Sequence, residues 1–320
     1  MPATFSAMAP EASDDVAPLA GLAAAPDRWA AMIAHGLRER TTRPEWLWRA
    51  HDGEKLVAAA VWWSAGPDSP PEMVDVLGET DPASVAGLLE HSRQAIGAEF
   101  ALCSVQINGQ VADLADARPA LAEALRLAGF TLEVKRVRVE WTPASPLSAA
   151  PREPTMRAAT TVRRADLIEL FAAVADRSFD HSMIAERERS GVRREAELRL
   201  QAAFDSDGPP DWFTIGVDHV GSLVGYVVPA LVNGDRPIIA ELGVAADHRG
   251  HRYGDALLAH ATRLLARSGA AQIRADTDLG NHPMRAAFAR AGYTEFARRF
   301  DYTWRGGRHA PGLAASTSEV

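Results

Sequence analysis

Apolar and polar positions in the second half of the chain change rhythm several times. Short apolar runs at 212–217, 223–231 and 238–244 read as strands. Gly221-Ser222 and Asn233-Gly234-Asp235 lie between them as turns, so the stretch predicts a meander. Before it, a strand at 161–164 leads into a helix from Asp166, a residue suited to an N-cap. A charged helical stretch then covers 184–204, and its run of charges over 186–197 reads as an exposed helix face. After the meander come a helix over 255–267, a strand at 271–276, a helix over 283–291 and a last strand ending at Trp304. Antiparallel strands followed by a β-α-β-α-β run predict an α/β (α+β) domain, with a mixed, mostly antiparallel sheet flanked by helices.

The first half carries strands at 56–63, 100–105 and 132–141, with Trp46, Trp48, Trp62 and Trp63 clustered among them as packing residues. It also repeats part of the second. Residues 124–141 read ALRLAGFTLEVKRVRVEW and residues 287–304 read AFARAGYTEFARRFDYTW, with six of 18 positions identical at an offset of 163. Each is a helix closed by a glycine, Gly129 or Gly292, in the place of a left-handed C-terminal cap, then a strand. Between the copies, 142–160 holds prolines at 143, 146, 151 and 154, the composition of an extended linker. Duplication of one fold accounts for both features. The expected domains are therefore 27–141 and 161–305. Residues 1–26 and 306–320, rich in small residues, are expected as a loose lead-in and tail.

Length agrees with two domains, since 320 residues exceed the usual ~150 per domain about twofold. The net charge of −8 speaks against nucleic acid or an anionic membrane as partner. A single cysteine, Cys103, excludes a disulfide framework and a cysteine-based zinc site. With no run of ~18 apolar residues and no basic-then-apolar leader, a soluble cytoplasmic protein is expected, monomer or homodimer.

The chemistry concentrates in 241–258, ELGVAADHRGHRYGDALL. A buried strand runs into a loop with His248, Arg249, Gly250, His251, Arg252 and Gly254, and a helix starts at once. Glycines allow close backbone approach, first-turn N–H groups point outward, and the helix dipole adds positive potential. A diphosphate is the natural guest of such a cradle. His248 and His251 also have metal-like spacing, but no third ligand stands near them, and no metal is expected.

This loop resembles the acyl-CoA motif of the GNAT N-acetyltransferase superfamily, Arg/Gln-x-x-Gly-x-Gly/Ala, with Arg249 first and Gly254 last. Arg252 stands where the middle glycine belongs, a departure that would place a cation over the phosphates. Asn281-His282-Pro283-Met284, followed by Ala287-Phe288 and Ala291-Gly292-Tyr293, is similar to the family's second signature. The resemblance implies that Leu242, Gly243 and Val244 hold the pantetheine arm of acetyl-CoA through a splayed strand. It implies further that Arg249, Gly250, His251, Arg252, Tyr253, Gly254 and Asp255 bind the diphosphate, and that Asn281 helps hold the arm. Asp180 and His181 would touch the acceptor, a small-molecule amine.

Acetyl transfer to an amine needs a proton acceptor, and Glu241, a carboxylate beside Ile238, Ile239 and Leu242, is the candidate. No acid for the leaving thiolate is assigned. The family often has a tyrosine at the position of Phe288, so Tyr253, Tyr293 or water must serve. The first half has neither signature: 74–89 reads VDVLGETDPASVAGLL, with acidic Glu79 and Asp81 where a cradle would be. It reads as a degenerate copy without the donor. The expected function is N-acetyl transfer from acetyl-CoA by the second domain. The alternatives are a non-catalytic acyl-CoA-binding regulatory module and an aminoacyl-tRNA-dependent transferase on a similar tandem fold.

Overall fold

The computed structural model describes residues 3–8, 16–78, 81–145, 154–232 and 234–306. The described residues divide into two compact units, one within 3–135 together with 298–306 and the other within 136–297.

In the first unit, β1 (Thr4–Ala7), α1 (Ala17–Ala20) and α2 (Pro26–Glu39) precede β2 (Leu47–Asp52), β3 (Lys55–Ser64) and β4 (Pro71–Leu77). Then follow α3 (Pro82–Ile96), β5 (Phe100–Asn108), α4 (Leu114–Ala117), α5 (Pro119–Leu127) and the start of β6 (Thr131–Trp141). Strands β1 to β5 lie in chain order, antiparallel except for β4 beside β5. Trp46, Trp48 and Trp62 are core, and the Trp62 indole N–H donates to Ser92 Oγ at 3.0 Å. The lead-in is a correction to the expectation. Residues 4–7 form β1 against β2, Met8 N–H donates to the Leu47 carbonyl at 2.8 Å, and Met8 and Leu19 are buried. A few apolar side chains in a small-residue context suffice to tie such a segment down, because they reach an existing sheet edge.

The second unit contains β7 (Thr155–Ala158), α6 (Arg164–Ala175), α7 (His181–Ser190), α8 (Val192–Asp205), β8 (Thr214–Val217), β9 (Leu223–Val232) and β10 (Arg236–Val244). It continues through α9 (Tyr253–Arg267), β11 (Ile273–Asp278), α10 (His282–Arg290) and the start of β12 (Thr294–Arg305). Its strand order is β6-β11-β10-β9-β8-β7. One sheet face packs α6 and α8 over Tyr226 and Val228; the other packs α9 and α10 over Val227, Ile239, Ile273 and Ala275.

Three expectations are revised here. The strand expected at 161–164 lies earlier, as β7 within the expected linker, and antiparallel to β8. Of that linker, residues 146–153 lie outside the described residues, as do 307–320 of the tail and Asn233 of the turn. Asp166 does not cap α6; it sits in the first turn and accepts two hydrogen bonds at 2.8 Å from the Arg163 guanidinium. The stretch at 184–204 is two helices, broken at Gly191, whose φ of 83° ends α7.

The repeated segments match as the offset requires. Each is a helix, a glycine at positive φ (79° at Gly129, 86° at Gly292) and a strand, β6 or β12. The unit boundary, however, cuts through both strands. Residues 136–141 of β6 pair antiparallel with β11, and residues 298–305 of β12 run beside β5. Each copy therefore completes its sheet with the last strand of the other.

Candidate functional site

The site begins where β10 loses its neighbours. On one side β10 and β11 are parallel, but the only partner pair between them is Ile238 with Arg274. Towards Val244 the two strands splay. On the other side the β9–β10 register slips between Ile239 and Glu241, so Ala240 is the extra residue of a bulge. Pro229 faces Ile239 in that ladder and has no N–H to give, which is the kind of place where a proline fits inside a sheet. Ala240 is exposed and Glu241, Leu242 and Val244 are half-buried along the cleft that opens between β10 and β11.

At the end of the cleft stands the start of α9. Gly250 has φ 86° and Arg252, the N-cap, has φ 62°. This left-handed turn explains why a glycine is usual at the second position; an L residue there costs roughly 1–2 kcal/mol. No side chain caps the helix. In its first turn Asp255 N–H already donates to the Arg252 carbonyl at 3.1 Å; the N–H groups of 253 and 254, ahead of the first intrahelical bonds, stand beside the positive end of the dipole.

The arginines of the loop do other work than expected. Arg249 donates from Nε to the Val244 carbonyl (3.2 Å), from Nη1 to Arg177 (2.8 Å) and from Nη2 to Val174 (2.8 Å), stitching the loop to the end of α6. Its guanidinium is thus a brace, and the cradle it shapes is made of backbone. Arg252 is turned to Asp255, Nε to Oδ2 at 2.8 Å, rather than over the cleft. Asp255 also accepts two hydrogen bonds from Arg290, at 2.9 and 2.6 Å. Burial opposes its charge, but Arg290 and Arg252 hold the carboxyl below the usual range. Tyr253 lies near the rings of His248 and His251. Asn281 caps α10, its side chain accepting from Met284 N–H at 3.3 Å.

The first unit has the same strand-to-helix construction with a different ending. β4 meets β5 at one partner pair, Met73 with Leu102, and α3 follows. Here the helix N-terminus is already filled, because Asp81 Oδ2 accepts from Ser84 N–H at 3.0 Å and from its hydroxyl at 3.1 Å. A carboxylate in that position supplies the negative charge a phosphate would bring. Glu79 lies outside the described residues. Asp81→Ala is expected to lower stability by about 1 kcal/mol through loss of the cap, measurable by urea denaturation. It should add no acetyl-CoA binding, since the rest of the cradle is missing.

On the α6–α8 side of the cleft, Glu241 is held by two residues that sequence reading missed. The Tyr226 hydroxyl donates to Glu241 Oε1 at 2.7 Å, and the Arg199 guanidinium pairs with the same oxygen. Arg199 also donates to Tyr226 Oη at 2.9 Å. Tyr226 is fully buried, stacked on Phe171 at 3.9 Å, and burial pushes its phenol up, away from ionisation. The signal for Arg199 was its i, i+4 spacing from Glu195, which the charged composition of α8 disguised. Asp278, at the end of β11, was also missed. It is buried, which raises its carboxyl, and it accepts from the His181 backbone N–H at 2.6 Å. Asp180 caps α7, accepting from Met183 N–H at 2.8 Å. Asp180 and His181 thus fix the loop between α6 and α7 through a capping bond and a backbone bond.

Two tyrosines were considered as acids. Tyr293 is core: its hydroxyl lies 2.9 Å from Thr262 Oγ1, and burial pushes it up. Phe288 is buried against it, ring centroids 5.1 Å apart. Among the described residues no group of three or more His, Cys, Asp and Glu is placed to hold a metal ion, and no helix is long and apolar enough to cross a membrane.

Comparison with known proteins agrees with this geometry. Residues 178–293 match the model of the acetyltransferase (GNAT) family. No curated protein matches the chain. Among solved structures, a GCN5-related N-acetyltransferase from Sphaerobacter thermophilus superposes with a TM-score of 0.61 at 16% identity, covering 97% of each chain. A tandem GNAT protein from the clavulanic acid biosynthesis pathway gives 0.53 at 17% identity, over 96% of this chain and 100% of that one. A GCN5-related N-acetyltransferase from Kribbella flavida gives 0.51 at 18%, over 88% and 96%. At these identities the likeness is one of fold.

Proposed function

We propose that this chain, whose residues 178–293 match the model of the acetyltransferase (GNAT) family, transfers an acetyl group from acetyl-CoA to a small-molecule amine. The match of 178–293 to the family model supports acyl transfer in general, and the site's geometry supports the choice of donor and acceptor. The observation that carries it is the pairing of the β10–β11 splay with an uncapped α9 N-terminus, a combination the first unit lacks. The pantetheine arm would lie along Leu242, Gly243 and Val244 as an added strand, and the diphosphate on the N–H groups of 250–254. Asn281 and the start of α10 would border the thioester.

In the reaction, an ammonium first gives a proton to Glu241. The freed nitrogen attacks the thioester carbonyl, whose oxygen is polarised by backbone N–H at the bulge. The C–N bond forms and the C–S bond breaks. The thiolate takes a proton from water, the second nitrogen proton returns to solvent, and Glu241 releases its proton to solvent, leaving an amide, free CoA and an ionised carboxylate for the next turnover.

Isothermal titration should give one acetyl-CoA per chain, and amines should release free thiol from it. In Glu241→Gln the release should fall by about 10²-fold or more with donor affinity unchanged. Two donors per chain, or none, would sink the reading. Buried Phe288, which has no proton to give, favours the second reading of a regulatory acyl-CoA sensor. Tight binding with no thiol released by any amine would establish it.

A further inference from the structure

Glu195 on α8 is 0% exposed, and neither of its carboxylate oxygens has a hydrogen-bond partner. An enclosed carboxylate in that condition is costly unless a cation compensates it. The cation is Arg199, one turn further along α8, with Nε 3.4 Å from Glu195 Oε1. The same guanidinium pairs with Glu241, whose side chain is 21% exposed on the cleft. Arg199 therefore stands between two carboxylates, one enclosed and one facing the acceptor side. Tyr226 joins the pair by donating to Glu241.

We infer that Glu195 is a positioning residue that sets the proton-accepting power of Glu241 by taking a share of Arg199. The inference rests on the acyl-transfer reading above. An isolated Glu241–Arg199 pair would be an inert ion pair, since protonating Glu241 would strand a half-buried guanidinium. With Glu195 present, Arg199 retains a carboxylate partner when Glu241 accepts the ammonium's proton. The three groups then pass from a net charge of minus one to zero, and the enclosed Glu195–Arg199 pair stays complete. The other groups facing Glu195 are Arg187 from α7 and Asp180 at its cap; Tyr226, from β9, adds a neutral hydroxyl. Burial raises the Glu195 carboxyl and Arg199 opposes that rise.

The test compares Glu195→Gln, Glu195→Asp and Glu241→Gln with the wild type. Carbon-13 NMR of glutamate carboxylates follows Glu241, assigned by the resonance lost in Glu241→Gln, with no need for turnover. Thiol release from acetyl-CoA with benzylamine and spermidine as probes gives kcat/KM against pH. In Glu195→Gln the titration of Glu241 and the acidic limb of kcat/KM should both move down by roughly one pH unit. Its kcat should fall about tenfold while KM for acetyl-CoA stays put. Glu195→Asp, which keeps the charge, should titrate nearly as the wild type does. An unmoved Glu241 titration in Glu195→Gln overturns the inference, as does an equal shift in both Glu195 variants, which would mark a packing effect. Wild-type protein that releases no thiol, while Glu241 still shifts in Glu195→Gln, would instead count against the transfer reading alone.

Discussion

Gly243→Ala is expected to cost the protein about 1–3 kcal/mol and to weaken the proposed acetyl-CoA binding about tenfold. A Cβ on Gly243 would lie 2.2 Å from Cγ1 of Val174 and 3.3 Å from its Cβ and Cγ2. Val174 is buried on α6, and a β-branched side chain inside a helix has one strongly preferred rotamer, so it cannot swing aside. The helix itself must retreat from β10. That motion would carry the Val174 carbonyl away from Arg249 Nη2, which it holds at 2.8 Å, and so loosen the brace under the cradle. Here glycine serves close approach rather than conformation, since Gly243 has no positive φ. Val174→Ala removes the obstructing methyls at the cost of a small cavity. The double variant should therefore recover much of the loss, with a coupling of about 1–2 kcal/mol in a urea-denaturation cycle. Strictly additive losses would mean that α6 and β10 are not in the contact argued here.

What the sequence made legible follows from how local each feature is. The cradle was readable because glycine, a strand and a helix start within a few residues suffice to make one. The glycine caps at 129 and 292 were readable for the same reason, and both have positive φ. The partners of Arg249 and Arg252 were not legible because they are set by the folded chain: the carbonyls of 174 and 177 lie more than seventy residues away, and Asp255 competes for Arg252. Glu195 was read as part of an exposed face because charge runs usually are; only the packing of α8 on α6 encloses it. The exchange of β6 and β12 was invisible for a deeper reason. The two strands share one sequence pattern, so each suits either sheet, and hydrophobic alternation cannot tell which one it joins.

The first unit should have a stability that falls as pH rises from about 4 to about 7, a fall that Asp75→Asn abolishes. Asp75 lies two residues beyond the single β4–β5 partner pair, as Glu241 lies three beyond the β10–β11 pair with one residue taken up by the bulge. The acid persists at the equivalent place, but where Glu241 has Arg199 and Tyr226, Asp75 accepts only the Trp63 indole N–H, at 2.8 Å. Burial pushes its carboxyl up to about 7, against a smaller pull downward from that hydrogen bond. The folded value lies above the unfolded one, near 3.9, so between them the folded chain keeps a proton that the unfolded chain has released. Stability from this group is full at the acid end of the window and is lost as pH climbs to about 7. The ceiling is roughly 4 kcal/mol, at 1.36 kcal/mol for each pKa unit, and local relaxation should leave about 1–2. Asparagine keeps an oxygen for Trp63 and cannot ionise. Asp75→Asn should therefore match the wild type within a few tenths of a kcal/mol near pH 3.5, at or below the unfolded pKa, and exceed it by about 1–2 kcal/mol at pH 8. Urea denaturation at the two pH values measures the difference directly, and parallel pH profiles for the two proteins would show that Asp75 titrates as an ordinary surface carboxylate.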